Sequence, residues 1–190
     1  MTNDATLGHR LEFLKQAEAL KDTLRSGNTS RGRSESTAEH SWRLALVVLT
    51  FADLLPDIDL LKLLKLCILH DLGEAVDGDI PAPEQVYVAE KSAKEREDFI
   101  SLIEPLPAVI RAEFLELWDD YENAVSAEAK LAKAFDKIET LLQHNQGKNG
   151  ADFDYGFNLE YGRNYTDANS FTAKLRAIID KETRQLAGEN

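Results

Sequence analysis

Residues 60–81 read LLKLLKLCILHDLGEAVDGDIP and join a strongly apolar helical segment to a polar run that begins with a histidine and an aspartate. The apolar residues surround most of the helix, and Lys62 and Lys65 occupy its small exposed face, so we expect this helix at the centre of the fold. An imidazole beside a carboxylate is costly to bury unless a cation joins them. The pair His70-Asp71 therefore predicts a metal site at the end of a central helix.

Helical spacing of apolar residues recurs along most of the chain, and no convincing strand alternation competes with it. Each predicted helix is marked by apolar residues on one face: Leu7, Leu11, Leu14, Ala17 and Leu24; Leu44, Val47, Val48, Phe51 and Leu55; Ala89, Ala93, Ile100 and Ile103; Ile110, Phe114, Leu117, Trp118 and Tyr121; Leu131, Phe135, Ile138 and Leu142; and Phe171, Leu175, Ile178 and Ile179. Ser36 and Glu39 have the spacing of a capping box at the start of the second helix. Trp42 and Trp118 are interpreted as core residues. These patterns predict an all-α fold, a compact helical bundle.

The length of 190 residues predicts one domain over residues 1–190, because it supports a single substantial core. Residues 145–169 differ from the rest in mixing glycines with aromatic residues. Disordered linkers are usually poor in aromatic residues, so this segment is interpreted as an ordered irregular loop before a C-terminal helix. It could cover the bundle or form a homodimer contact, and neither role requires chemistry.

Composition limits the partners of the chain. A formal net charge of -12 opposes the attraction that draws basic proteins to nucleic acids and anionic membranes, so we expect neither as a partner. A small anionic substrate is still compatible if a metal and a few arginines form a local positive pocket. Cys67 is the only cysteine, is expected in the core and excludes an intrachain disulfide. Together with the lack of an apolar signal segment, this predicts cytoplasmic residence.

Two further residues, His40 and Asp136, can complete the metal site. Their separation in sequence is no objection, because a helical bundle builds a cofactor site from inward-facing residues on different helices. Two imidazoles and two carboxylates balance the charge of a divalent ion. An ion with about six coordination positions keeps two for water or substrate, lowers the pKa of the water and neutralises charge on a phosphoryl oxygen. The set predicts metal-dependent cleavage of a phosphate ester.

Residues 23–34 contain Arg25, Arg31 and Arg33 and no acidic residue, in a chain otherwise rich in carboxylates. A guanidinium group grips phosphate with two parallel hydrogen bonds, so this segment supplies the local positive patch that a phosphorylated substrate requires. For Arg31 and Arg33, a surface charge or an ion pair within the chain is at least as compatible with the sequence as contact with the substrate is.

Two carboxylates follow the pair His70-Asp71. Glu74 comes about one helical turn later, so on a continuous helix it could reach the bound water. Asp79 lies in a turn before Pro81, where an outward carboxylate can accept a hydrogen bond from a sugar hydroxyl. Either residue could instead be a solvated loop carboxylate.

The predicted metal ligands resemble the pattern of the HD-domain phosphohydrolase superfamily: His40, His70, Asp71 and Asp136. A narrower resemblance, to its 5'-deoxynucleotidase branch, covers residues 25–142 and is carried by these features: Arg25, Arg33, the Glu39-His40 pair, residues 70–81 and residues 126–136. One departure is Ser26, where members commonly have tryptophan or a related bulky residue. A base or sugar contact of the family is therefore expected to be missing here, which leaves a different nucleotide or phosphoester open as the substrate.

The resemblance implies an HD domain in which the four ligands hold one divalent metal ion, with Mn, Co, Mg, Fe, Ni and Zn all open. It implies conversion of deoxyribonucleoside 5'-monophosphates to deoxyribonucleosides and phosphate by attack of metal-bound water. Of the three predicted catalytic residues, Glu74 handles a proton, Asp79 lies at the sugar and Arg25 orients the phosphate. The predicted substrate-binding residues lie on the arginine segment and on the run after Glu74: Arg25, Arg33, Asp79, Ile80 and Pro81. A homodimer is also implied.

Three other functions stay open at this point. Another HD-type enzyme, a phosphodiesterase or a nucleoside triphosphate hydrolase, would keep the metal ligands in a differently shaped pocket. A nucleotide-binding regulator would keep the metal without turnover, and a purely structural module would bind no metal. We favour the 5'-deoxynucleotidase because Arg25, Glu74 and Asp79 accompany the metal set.

Overall fold

The computed structural model describes residues 4–78 and 88–188, and within them the chain forms ten α-helices and one antiparallel pair of strands. The helices are α1 (Asp4–Ala17), α2 (Thr37–Thr50), α3 (Leu60–Leu69), α4 (Glu74–Asp77), α5 (Val88–Ile103), α6 (Ala108–Asn123), α7 (Ala127–Gln146), α8 (Tyr155–Glu160), α9 (Arg163–Thr166) and α10 (Ser170–Leu186). The strands are β1 (Leu24–Asn28) and β2 (Ser34–Ser36), and short 3-10 helices lie at Glu18–Lys21 and Ala52–Leu54. The all-α prediction is confirmed, apart from this hairpin. None of the described helices has the length and apolar character needed to cross a membrane.

The core lies around α7, the longest described helix, which contacts α2, α3, α6 and α10. Helix α3 packs against α2, α6 and α7, and its residues Leu63 and Cys67 are completely buried. Lys62 and Lys65 lie on its outer side, in ion pairs with carboxylates of α6. The predicted central position of this helix, with Cys67 in the core, is confirmed.

The start of α2 is fixed by a capping box, as the sequence predicts. The Ser36 hydroxyl accepts a hydrogen bond from the Glu39 backbone N–H at 3.3 Å, and the Glu39 carboxylate accepts one from the Ser36 N–H at 3.0 Å. Because Ser36 also ends β2, the hairpin leads directly into the helix. His40 therefore lies in the first turn of α2, where it is completely buried.

The segment before α2 differs from the prediction. Helix α1 ends at Ala17, whereas the apolar series predicts a helix as far as Leu24, which instead begins β1. Residues 24–36 show no apolar alternation, and tertiary hydrogen bonds support the hairpin, including one of 2.7 Å from Gln143 Nε2 to the Asn28 carbonyl. A strand that depends on a distant helix leaves little local signal in the sequence.

Trp42 is 64% exposed, so its interpretation as a core residue is wrong, whereas Trp118 is 3% exposed as expected. Helix α2 also has Leu46 and Leu49 on its outer face, and apolar periodicity alone does not say which face meets the core. The leucines that mark the predicted face of α1 are exposed as well: Leu7, Leu11 and Leu14.

Residues 145–169 are not irregular throughout, because α8 and α9 lie within them. Arg176 of α10 is 1% exposed, and its guanidinium donates hydrogen bonds to the carbonyls of Asn158, Leu159 and Tyr161. These bonds fasten α8 to α10, and a further hydrogen bond of 3.3 Å from Arg176 to Thr166 Oγ1 holds α9. One buried arginine therefore organises the segment, which the glycine and aromatic composition alone does not indicate.

Candidate metal centre

The four predicted metal ligands lie together, although three different helical segments supply them. His40 comes from α2, His70 and Asp71 follow α3, and Asp136 lies within α7. His40 Nε2 is 3.2 Å from Asp136 Oδ1 and 3.8 Å from Asp71 Oδ2, and His70 Nε2 is 3.0 Å from Asp71 Oδ2. His40, His70 and Asp136 are buried and Asp71 is half-buried. His40, His70 and Asp71 thus offer ligand atoms within 4.8 Å of one another, and Asp136 adjoins this group through His40.

The orientation of the two imidazoles fits a metal ion. His70 Nδ1 donates to the Cys67 carbonyl at 3.0 Å, and His40 Nδ1 is hydrogen-bonded to Glu139 Oε2. Each Nε2 atom is buried and lacks a hydrogen-bond partner among the described residues, and both face carboxylate oxygens. A buried ring nitrogen left without a partner is costly, and neutral imidazole nitrogen is a common metal ligand. The residues therefore fit a divalent cation between them.

Both carboxylates of the cluster are held in the ionised form. Burial acts to raise the pKa of Asp71, but His70 and the Arg25 guanidinium contribute to lowering it below its usual range. Burial acts in the same way on Asp136, whose pKa is nevertheless well below its usual value because Lys137 Nζ lies 2.9 Å from Oδ2. Two anionic groups at a buried point attract positive charge.

The imidazole of His40 responds to the same charges. Burial and the Arg25 guanidinium act to lower the pKa of His40, but Glu139 and Asp136 outweigh them and raise it to about 10. The same negative charge that raises the pKa of His40 attracts a cation to the cluster. A metal ion and a proton therefore compete for this imidazole.

Arg25, the predicted phosphate-binding residue, lies beside the four side chains. Its Nη1 donates to Asp71 Oδ2 at 3.4 Å, its Nη2 donates to Thr140 Oγ1 at 3.3 Å, and its Nε is 3.8 Å from Glu35 Oε2. Strand β1 carries Arg25 to this position. Arg33, in contrast, forms a two-pronged surface pair with the Glu39 carboxylate, the ion pair within the chain that the sequence left open.

Glu74 does not lie on a continuation of α3, contrary to the prediction. The chain turns after α3 and α4 begins at Glu74, so no continuous helix joins it to His70. Glu74 is 6% exposed, and its Oε2 accepts a hydrogen bond from Thr37 Oγ1 at 3.0 Å. Asp77 is exposed, as expected. The predicted residues that lie outside the described part of the chain are Asp79, Ile80 and Pro81.

A family model described as HD domain matches residues 17–176, which include the four side chains and Arg25. The chain belongs to the HD domain family. Human 5'-deoxynucleotidase HDDC2 is 33% identical to this HD-domain chain over 138 residues, 72% of this chain and 67% of the human one. The 5'-deoxynucleotidase hdd1 of Schizosaccharomyces pombe is 35% identical over 137 residues, 69% of this chain and 68% of the yeast one.

Solved structures agree with this membership. The crystal structure of a predicted metal-dependent phosphohydrolase from Magnetospirillum magnetotacticum has a TM-score of 0.81 and 25% identity, and the match covers 97% of this chain and 98% of that one. The PH0347 protein from Pyrococcus horikoshii has a TM-score of 0.68 and 27% identity, with 92% and 98% covered. The predicted HD-domain resemblance is therefore confirmed.

The HD-domain site includes residues that sequence reasoning missed. Tyr121 donates a hydrogen bond to Asp136 Oδ2 at 2.8 Å, and Glu139 lies behind His40. Glu139 follows Asp136 by three positions, so helical spacing from a predicted ligand is the signal that could have found it. Glu35, His40 and Glu139 form a second group that could hold an ion. The guanidinium groups of Arg25 and Arg43 already lie against its two carboxylates.

Proposed function

We propose that this HD-domain chain is a metal-dependent 5'-deoxynucleotidase, which converts deoxyribonucleoside 5'-monophosphates to deoxyribonucleosides and phosphate. The observation that carries the proposal is the pair of buried Nε2 atoms of His40 and His70, which face two ionised carboxylates beside an arginine. The names of the human and yeast relatives support the choice of substrate class.

One divalent ion would be held by His40, His70, Asp71 and Asp136. When bound, such an ion neutralises charge on a phosphoryl oxygen and makes water a stronger nucleophile near neutral pH. The mixture of imidazole and carboxylate ligands suits Mn, Co, Mg, Fe, Ni or Zn.

Arg25 binds and orients the phosphate in this proposal. Its guanidinium lies at the edge of the cluster, and Thr140 and Glu35 hold it there through long contacts of 3.3 and 3.8 Å. A planar guanidinium matches two phosphate oxygens, which places the phosphorus next to the carboxylate cluster. The Arg25 side chain is 15% exposed, so it is not completely buried.

Glu74 carries the proton that the reaction moves. Hydrolysis forms a bond from water oxygen to phosphorus, breaks the bond from phosphorus to the 5'-oxygen and leaves a 5'-hydroxyl, so the leaving oxygen must gain a proton. The Thr37 hydroxyl orients the Glu74 carboxylate through Oε2, and a positioned carboxylate can take a proton from water and return it to the leaving group. Asp79 is proposed to meet the sugar, with Ile80 and Pro81 beside it, and Arg33 to assist binding once it leaves its surface pair with Glu39.

A substrate panel tests this function. Protein stripped with EDTA and reloaded with each divalent metal is assayed for phosphate release from all deoxy- and ribonucleoside monophosphates, a phosphodiester and a nucleoside triphosphate. We expect release from deoxyribonucleoside monophosphates above all. Cleavage of only the diester or the triphosphate would contradict the proposal, and nucleotide binding without hydrolysis under any metal would indicate a regulator.

Two arginine variants sharpen the test. Arg25→Ala should lower kcat/KM roughly 100-fold, because the phosphate loses its charged hydrogen-bond partner. Arg31→Ala removes an exposed arginine from the same hairpin and should change kcat/KM less than twofold. Equal losses in the two variants would show that only general positive charge matters here.

We also propose that two copies of the chain associate through α2, in the cytoplasm. Trp42, Leu46 and Leu49 form an exposed apolar stripe on this helix, with exposures of 64%, 45% and 53%. Light scattering during gel filtration should give a dimer mass for the wild type and a monomer mass for Trp42→Ser. Val109→Ser, which removes an 81% exposed side chain from α6, should stay dimeric. A monomeric wild type would contradict this assembly.

A further inference from the structure

Glu139 is a completely buried carboxylate directly behind the candidate metal centre. It lies on α7 one turn after Asp136, and its Oε2 is hydrogen-bonded to His40 Nδ1. His40 is also completely buried, so water cannot replace this partner. One turn of α7 therefore provides two groups of the centre: Asp136, a predicted metal ligand, and Glu139, which fixes the ring of the predicted ligand His40.

The second oxygen of Glu139 is held by charge from α2. Arg43 lies three positions after His40, and its Nε is 3.6 Å from Glu139 Oε1. The other Arg43 nitrogens donate to Gln143 Oε1 and, at 2.8 Å, to Gln146 Oε1. Two residues of α2 thus meet the carboxylate: His40 is hydrogen-bonded to Oε2, and the Arg43 charge lies near Oε1, which has no hydrogen-bond partner among the described residues. The hydrogen bond to Oε2 limits rotation of the His40 ring.

The two imidazoles of the centre have different acceptors. His70 Nδ1 donates to a neutral backbone carbonyl, that of Cys67, whereas His40 Nδ1 is bonded to a carboxylate. A carboxylate behind a metal-binding imidazole fixes the tautomer and raises the basicity of the nitrogen that faces the metal. His40 is therefore the imidazole whose strength as a ligand depends on a charged neighbour.

We propose that Glu139 is the positioning residue of the metal centre: it holds the His40 Nδ1–H so that Nε2 presents its lone pair to the ion. This inference rests on the metal binding in the proposed function and not on the substrate. A purely structural Glu139 would serve only to balance the Arg43 charge, and its loss would lower stability without changing metal affinity.

The test measures Co2+ binding to EDTA-stripped full-length protein by calorimetry, with the visible absorption of bound Co2+ as a second readout. Glu139→Gln keeps the size of the side chain and a hydrogen-bond acceptor but removes the charge, and we expect about 10-fold weaker binding. Glu139→Ala should weaken binding by about 10- to 100-fold, the usual range for such partners. Both variants should shift the Co2+ absorption bands.

Asp180→Asn is the matched control, because Asp180 is a buried carboxylate that pairs with Arg176 at 2.6 Å, far along the chain from the four ligands. It should lower the melting temperature of the metal-free protein and leave Co2+ affinity unchanged. Wild-type affinity and an unshifted spectrum in Glu139→Gln would overturn the positioning role, whether or not the alanine variant folds. Absence of Co2+ binding by the wild type would instead overturn the proposed function itself.

Discussion

Gly73 lies between Asp71 and Glu74, where the turn before α4 touches the backbone of α5. A Cβ at this position would be 2.7 Å from the Glu95 carbonyl oxygen and 3.6 Å from the Phe99 nitrogen. The Gly73 φ of -59° is ordinary for any residue, so crowding alone determines the effect of an added methyl group. A backbone oxygen cannot rotate away, and relief therefore requires the two elements to separate.

Gly73→Ala should destabilise the protein by about 1 to 3 kcal/mol, the usual cost of one extra methyl group in a well-packed site. For a chain of this length that corresponds to a melting temperature lower by roughly 2 to 12 °C. Because the displaced turn carries Asp71 and Glu74, we also expect kcat/KM to fall by up to about 100-fold, as for a misplacement near 1 Å. Thermal unfolding by circular dichroism and phosphate release below the transition measure the two effects.

Gly8→Ala provides the control for this prediction. Gly8 lies in α1, and an added Cβ there would meet no atom within 4 Å. Replacing an exposed helical glycine should stabilise the protein by about 0.5 to 1 kcal/mol, with activity unchanged. If Gly73→Ala melts at or above the wild-type temperature, the close approach of α5 to the turn is refuted.

Three further predictions concern the surroundings of the centre. Ser36→Ala removes the cap of the helix that carries His40 and should cost about 1 kcal/mol in urea unfolding, and an unchanged midpoint would contradict the capping box. Burial, with the charge of Glu139, raises the pKa of Glu35 to about 7 in the folded protein from an ordinary 4.5. The folded state thus binds the Glu35 proton more tightly than the unfolded state does. The contribution of Glu35 to folding stability is therefore fully present below pH 4.5 and is lost as the pH rises to about 7. Relative to the metal-free wild type, the free energy of unfolding of metal-free Glu35→Gln should therefore rise by about 1 to 2 kcal/mol between pH 5 and 8, a value that allows for solvent screening. A difference between the two proteins that does not change with pH would contradict this prediction. Finally, a divalent ion at 100 times its Kd should raise the free energy of unfolding of the wild type by about 2.7 kcal/mol and that of Asp136→Asn not at all, as measured by melting curves.

The parts of the fold that the sequence predicted are those with strong local signals. Ser36 and Glu39 marked the start of α2 because a capping box is made from neighbouring residues. The apolar run before His70 indicated a buried helix because its hydrophobic residues extend around the helix. These two elements supply three of the four side chains at the centre, so the main features of the site followed from local patterns.

The parts that the sequence did not predict depend on contacts between distant elements. Strand β1 is supported by Gln143 on α7, and the buried Arg176 holds α8 through the Asn158 carbonyl and α9 through Thr166 Oγ1. Trp42 shows a different reason, because α2 has apolar residues on both of its faces and only packing decides which face is buried. Glu139 follows Asp136 by three positions, so the two residues share one face of a helix, but the sequence prediction did not use this spacing.

The most direct test of the metal centre is anomalous diffraction from crystals of the protein loaded with Mn2+ or Co2+. We predict one strong peak per chain, bound by the Nε2 atoms of His40 and His70 and by the carboxylates of Asp71 and Asp136. A peak on the opposite side of the same ring, between His40 Nδ1, Glu35 and Glu139, would contradict both the site and the role of Glu139. So would well-diffracting crystals with no peak near His40.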